Sequence, residues 1–341
     1  MLKEIERLIL ENGPRWEIPF SPPRTLYFTK TGGSKGDPAA QPVVFLLFDQ
    51  NSATPRWVVK VSRNRATIPI LTKEYENLLY FYHRFPSSFR STLPKPLLSR
   101  EDPGRFLFVE SGLRGKRISP LVQPDGDRAY RRAVGKMFED VLAWLGQFQK
   151  ETYKGAVEVT EAWIEEEVKG TIEQYRIRYS VDISEEDFLN DHLERWKEWK
   201  KTAIPITGQH GDFRTENIFA DGHAVSICDW SLSQKKGRPF DDLFCFLSSL
   251  SVGAEEGNPI DSFENLYFEE NWFRQQAREI VARFFFRWEL SPRLFSQLYP
   301  LFLIKQSIRE AGGDSLHAVG DSVWRERLLF FIRNRSRFME V

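Results

Sequence analysis

The chain is poor in cysteine and histidine and has no long apolar run, and each shortage removes a class of function. Only two cysteines, Cys228 and Cys245, occur among 341 residues. That excludes a disulfide framework and fits a reducing compartment. Five histidines and two thiols in no paired spacing give no zinc-ligand pattern. No run of about 18 apolar residues exists, so no membrane-spanning helix is expected. The opening MLKEIERLILENG is too charged for a secretory leader and reads as a short amphipathic helix ending at Gly13. Net charge is also missing: 48 basic residues balance 48 acidic ones, so no global basic field argues for nucleic acid. A soluble, cytoplasmic protein that binds neither nucleic acid nor membrane is expected.

What is present is concentrated in residues 206–230, ITGQHGDFRTENIFADGHAVSICDW. Asn217–Ala220 and Ala224–Cys228 are two short apolar runs separated by Asp221-Gly222-His223. Asp-Gly between apolar runs is a strong hairpin signal. Pairing the arms brings Asn217, at the start of one, beside Asp229, at the end of the other. A carbonyl oxygen and a carboxylate held there can share a hard cation such as Mg²⁺. Asp212 precedes the hairpin and can face the same point, where a carboxylate can take the proton of an attacking hydroxyl. Arg214 adds a fixed positive charge that can meet a migrating phosphoryl group.

The run His210-Gly211-Asp212-Phe213-Arg214-Thr215-Glu216-Asn217 resembles the catalytic loop of the protein-kinase-like superfamily, H-R-D-x-x-x-x-N. With Gly after the His, and Asp229-Trp230 in place of D-F-G, it is similar to the aminoglycoside phosphotransferase and choline kinase branch. The resemblance implies an α+β, two-lobed protein-kinase-like fold: a small antiparallel-sheet lobe over residues 1–110 and a larger helical lobe over 111–341. The chain is long enough for two such units.

The upstream chain falls into the same order. Arg24–Thr29, Val43–Phe48 and Trp57–Val61 are strand candidates joined by short loops, which makes an antiparallel meander the economical arrangement. The first loop carries Gly32 and Gly33. Glycines there can let backbone N–H groups approach phosphate, or can simply form a flexible tip. Lys60 lies inside the apolar strand Trp57-Val58-Val59-Lys60-Val61, where a charge needs a partner or a ligand. It resembles the V-A-I-K lysine of kinases, which pairs with nucleotide phosphates and a helix glutamate. A helix over 72–85 offers Glu74 and Glu76 on opposite edges of its apolar stripe. Periodicity does not choose between them, and the resemblance favours Glu74. Pro94 and Pro96 break the chain before a further strand, Phe106–Glu110. By resemblance, backbone groups of Glu110, Ser111 and Gly112 meet the adenine edge.

From Asp127 the pattern is mainly helical, with Val134, Met137, Phe138, Val141, Leu142, Leu145 and Phe148 as one core stripe. The acidic clusters at 165–167 and 185–187 read as solvated helix faces. The resemblance implies an ATP- and Mg²⁺-dependent transfer to a hydroxyl of a small molecule. Lys60 and Glu74 would hold the nucleotide phosphates, Asn217 and Asp229 the metal, and Asp212 and Arg214 the reacting groups, in a cleft between the lobes. The alternative is a non-catalytic nucleotide-binding pseudokinase acting through protein interaction. The sequence does not name the acceptor.

Overall fold

A computed structural model describes residues 2–16, 25–29, 42–48, 54–119, 121–123, 125–222, 224–253, 259–311 and 322–339, with 2 and 25–29 by backbone alone. Gly32, Gly33 and the loop around them lie outside the described residues. Two compact units share the chain out of order. The first takes residues up to Ile118 together with His210–Asp212 and Glu216–Gln234. The second takes Ser119–Gln209, Phe213–Thr215 and the chain from Lys235 onward.

The first unit is built on an antiparallel sheet of β1 (Thr25–Thr29), β2 (Val43–Phe48), β3 (Pro55–Val61), β4 (Pro96–Asp102) and β5 (Arg105–Ser111), in the order β1-β2-β3-β5-β4. The first three strands form the expected meander. β4 departs from the sequence reading, in which Pro96 marked a break. Pro96 instead opens an edge strand, where a missing N–H removes no ladder bond. Gly104, at φ +78°, turns the chain back into β5.

Side-chain alternation divides the sheet into two faces. Phe45, Leu47, Trp57, Val59 and Val109 pack with Ile5, Leu8 and Ile9 of α1 (Leu2–Asn12) and with Trp16. The 5, 8, 9 spacing is one stripe of a helix. The opposite face carries Lys60 and Phe108 at paired positions. Phe106 and Phe108 cluster there with Leu71 of α2 (Ile68–Arg84). This helix begins four residues before the expected Thr72. Asn64 and Thr67 cap a short turn ahead of it by reciprocal side-chain bonds, and Pro69 occupies its first turn.

The same unit contains a small sheet of β6 (Lys116–Arg117), β7 (Ile218–Ala220) and β8 (Val225–Ile227). Ile227 N donates to Thr92 O at 3.0 Å and Ile118 N to Ile218 O at 3.1 Å, which fastens the late segment to the early chain. Beyond β8, Trp230 is fully buried, with its ring 5.1 Å from that of Phe81. Asn77 Nδ2 on α2 donates to Trp230 O at 3.1 Å and to Ser233 O at 3.0 Å.

The second unit is helical: α3 (Arg128–Thr152), α4 (Gly170–Arg178), α5 (Ile183–Arg195), α6 (Pro239–Ser248), α7 (Pro259–Tyr267), α8 (Trp272–Arg287), α9 (Phe295–Ala311) and α10 (Val323–Asn334). The α3 stripe buries Val134, Phe138, Val141, Leu145 and Phe148. One acidic residue read as solvated is not. Glu185 is buried and accepts from Tyr175 Oη at 2.7 Å, with Arg325 at 3.1 Å as its cation. Among the described residues no helix is long and apolar enough to cross a membrane.

Because Asn77 is buried and satisfies two backbone carbonyls, Asn77→Ala strands both. It is expected to destabilise the protein by about 1–3 kcal/mol, read as a lowered melting temperature. An unchanged melting temperature would show that α2 does not hold the 230–233 turn.

Candidate active site

The 206–230 segment folds as its sequence suggests. Asp221 and Gly222 make the turn, with Ala224 N donating to Asp221 Oδ1 at 2.9 Å. The register runs Ile218↔Ile227, Phe219↔Ser226 and Ala220↔Val225. Cys228 N donates to Asn217 O at 3.0 Å, so the outer ends of the hairpin meet and Asp229 follows directly. Asn217 Nδ2 donates to both the carbonyl oxygen and Oδ2 of Asp212, each at 2.9 Å. The amide nitrogen thus fixes the Asp212 carboxylate and turns the Asn217 carbonyl oxygen away from it. Asp212 and Asn217 are both buried.

The loop carrying Asp212 depends on Gly211. Its φ of +79° favours glycine, and a Cβ there would stand 2.2 Å from Leu232 O. Asp229 also sits in the left-handed region, at φ +63°. For a non-glycine residue that conformation costs of order 1–3 kcal/mol and clusters at functional sites. Ser231 supports it, donating Oγ–H to Asp229 Oδ1 at 2.7 Å. His210 Nε2 meets Cys228 O at 3.0 Å, and its ring stands edge-on to Trp230 at 4.9 Å. Burial holds the imidazole pKa below its ordinary value, so His210 is a neutral brace of the loop.

Lys60 is the electrostatic centre. Its ammonium is bonded to Glu74 Oε1 of α2 and lies 3.2 Å from Glu110 Oε1 of β5. Glu76, the other candidate on α2, is exposed. Burial alone would discharge Lys60, but Glu110, Glu74 and Asp229 together hold its pKa well above the ordinary value. Three carboxylates around one ammonium leave an excess of negative charge. Burial pushes the Glu74 carboxyl up to about 8, against the pull of Lys60 and with added repulsion from Asp229 and Glu110. Burial raises Glu110 as well. Asp229 goes the other way: burial opposes its ionisation, but Lys60 and the hydrogen bond from Ser231 outweigh it and lower its pKa.

The remaining sequence candidates are placed as follows. Ser111 ends β5 and Gly112 follows it; Ser111 N donates to Lys95 O and Gly112 N to Arg56 O, each at 2.9 Å. Arg214 is exposed between buried Phe213 and Thr215. Phe213 stacks on Trp144 of α3 at 5.6 Å, and Thr215 N donates to Ser249 Oγ at 3.1 Å. Sequence reasoning assigned Glu110 by its backbone and missed its side chain. Among the described residues no group of three or more His, Cys, Asp or Glu gathers as a metal cage. The candidate donor set is one amide oxygen and one carboxylate kept ionised, Asn217 and Asp229. Hard oxygen donors in small number fit Mg²⁺, which keeps waters and substrate phosphates as its other ligands.

A small antiparallel sheet and a larger set of helices, with these polar groups in this order, define the protein-kinase-like fold. The chain belongs to the phosphotransferase enzyme family (APH), whose model matches residues 37–279. Solved structures agree on the fold. Choline kinase from Cryptosporidium parvum Iowa II is 9% identical, with 98% of this chain and 96% of that one covered at a TM-score of 0.60. The GDP complex of aminoglycoside 2'-phosphotransferase-IIIa is 13% identical, with 97% and 98% covered at 0.57. A thermostable mutant of aminoglycoside phosphotransferase APH(4)-Ia, in ternary complex with ADP and hygromycin B, is 14% identical, with 97% and 98% covered at 0.53. Comparison with curated protein sequences finds no match.

A carboxyl whose pKa rises on folding binds more protons in the native state. Its contribution is therefore full below the unfolded value of 4.5 and is lost as pH rises through about 8. Thermal unfolding followed across that window is expected to show the wild type losing stability relative to Glu74→Gln as pH rises. Parallel curves would place the excess proton on another group.

Proposed function

We propose that the protein transfers the γ-phosphoryl group of ATP to a hydroxyl of a small molecule, with Mg²⁺ as the metal. The observation that carries this reading is the buried Lys60, paired with Glu74 and acted on by ionised Asp229, in the same unit as the Asp212–Asn217 pair. Sequence-distant groups of these types have no reason to converge in a purely structural core, where a buried charge is costly.

In this reading Lys60, held by Glu74, orients the nucleotide phosphates. Asn217 and Asp229 hold the metal, which when bound neutralises charge on the phosphate oxygens. Asp212, steadied by the Asn217 amide, aligns the acceptor hydroxyl and takes its proton. The acceptor oxygen bonds to the γ-phosphorus as the bond to the β–γ bridging oxygen breaks, giving a phosphomonoester and ADP. Arg214 meets the charge on the group in transit. Phosphoryl transfer has a loose transition state, so positioning and charge neutralisation carry most of the rate. The relatives crystallised with GDP and ADP support a nucleotide as donor. Choline kinase and the hygromycin B complex support a small hydroxylated acceptor.

Asp212→Ala is expected to lower turnover by about 10²–10⁴-fold while nucleotide affinity stays within a factor of a few, measured as ADP release over a panel of hydroxylated metabolites. Turnover near wild type would remove Asp212 from the mechanism. Asp229→Ala is expected to abolish Mg²⁺-dependent nucleotide binding in calorimetry. An undiminished affinity for Mg–ATP would contradict its metal role.

A further inference from the structure

Glu110 has a side-chain geometry that the mechanism does not use. Residues alternate along β5, so Glu110 shares a face with Phe108 and, across the ladder, with Val58 and Lys60. Its Oε1 lies 3.2 Å from Lys60 Nζ. Its Oε2 is buried and has no hydrogen-bond partner among the described residues. A buried acceptor left without a donor is costly, and this one stands beside the ammonium assigned to nucleotide phosphates.

The neighbours restrict which ligand group could supply the donor. The Ser111 N–H goes to Lys95 O, and its Oγ accepts from Lys95 N at 2.8 Å. Gly112 N is bonded to Arg56 O, and a Cβ at Gly112 would stand 1.7 Å from Pro55 O, so this strand end has no room to shift. The N–H groups of 111 and 112 are therefore committed to the sheet. In this stretch the Glu110 carboxylate is the buried side-chain acceptor whose Oε2 has no donor among the described residues. Phosphate oxygens only accept hydrogen bonds and would be repelled by it. The donors a nucleotide carries are its ribose hydroxyls and its base amines, and the base is the part assigned to residues 110–112.

We propose that Glu110 determines base specificity: Oε1 steadies Lys60, while Oε2 accepts a hydrogen bond from the 6-amino group of adenine. A 6-oxo purine would set a carbonyl oxygen against the carboxylate and bind more weakly. The inference rests on the nucleotide-binding reading given above. It goes beyond that reading by assigning the choice of base to one side chain.

Calorimetric binding of Mg–ATP, Mg–ITP (6-oxo) and Mg–purine riboside triphosphate (hydrogen at position 6) to the full chain tests it without relying on turnover. A charge-assisted bond predicts that the wild type binds ATP about ten- to a hundredfold more tightly than either analogue. Glu110→Gln, whose amide can donate as well as accept, is expected to bring ITP within about threefold of ATP. Equal wild-type affinity for ATP and purine riboside triphosphate would overturn the proposal. So would an unchanged ATP-to-ITP ratio in folded Glu110→Gln. The wild-type comparison stands even if the variant does not fold. Failure to bind any of the three removes the nucleotide reading and this one together, whereas tight binding blind to the base removes only this one.

Discussion

One buried ammonium facing three carboxylates sets the terms for the first unit. Taking Lys60 out of water is expensive, and only partners fixed in place can offset it. Those partners come from three distant parts of the chain: Glu74 from α2, Glu110 from β5 and Asp229 from the segment beyond the hairpin. Keeping the charge satisfied therefore fixes which face of β3 turns toward α2 and how the late segment returns to the early sheet. The apolar contacts follow the same lines. Phe108 lies under the ammonium at 5.4 Å, and Trp230 inserts against Phe81 and His210 directly after Asp229.

Local signals in the sequence reach as far as local physics does. The hairpin was legible because Asp221-Gly222 between apolar runs is a strong hairpin signal, and its closure places Asn217 and Asp229 without further information. Lys60 was legible as a charge within an apolar strand. Glu74 and Glu76 were not separable by period, since both border the α2 stripe; the partner across the sheet makes the distinction. Glu110 was hidden for a related reason. β5 is buried from Phe106 through Glu110, so no polar alternation reveals which way its last side chain points. β4 was obscured by proline, which breaks a strand except at an edge. Glu185 was taken for a solvated acid because its cation, Arg325, lies 140 residues away.

The catalytic-loop segment also divides its attachments in a way that motif spacing conceals. Asp212 belongs with the first unit, while Phe213–Thr215 belong with the second. Phe213 stacks on Trp144, and Thr215 is tied to Ser249 just beyond α6. Arg214 thus extends from a backbone pinned on both sides by buried neighbours, although its own side chain is exposed. Asp212 is held separately, by the Asn217 amide. The two side chains assigned to the reacting groups thus have neighbours from different units.

The out-of-order assembly of the first unit has a consequence for how the protein is made. The sheet, α1 and α2 are all encoded before Ile118, but β7, β8, Asp229 and Trp230 emerge only after Gln209. A chain growing from its N-terminus therefore carries an unfinished unit through the synthesis of most of the helices that separate its two parts. In that interval Asn77 has no carbonyls to bind, Phe81 lacks its tryptophan, and β6 has no neighbour. Excision at the Ile118–Ser119 boundary would fix that interval permanently, giving a sheet with an open flank rather than an independent domain.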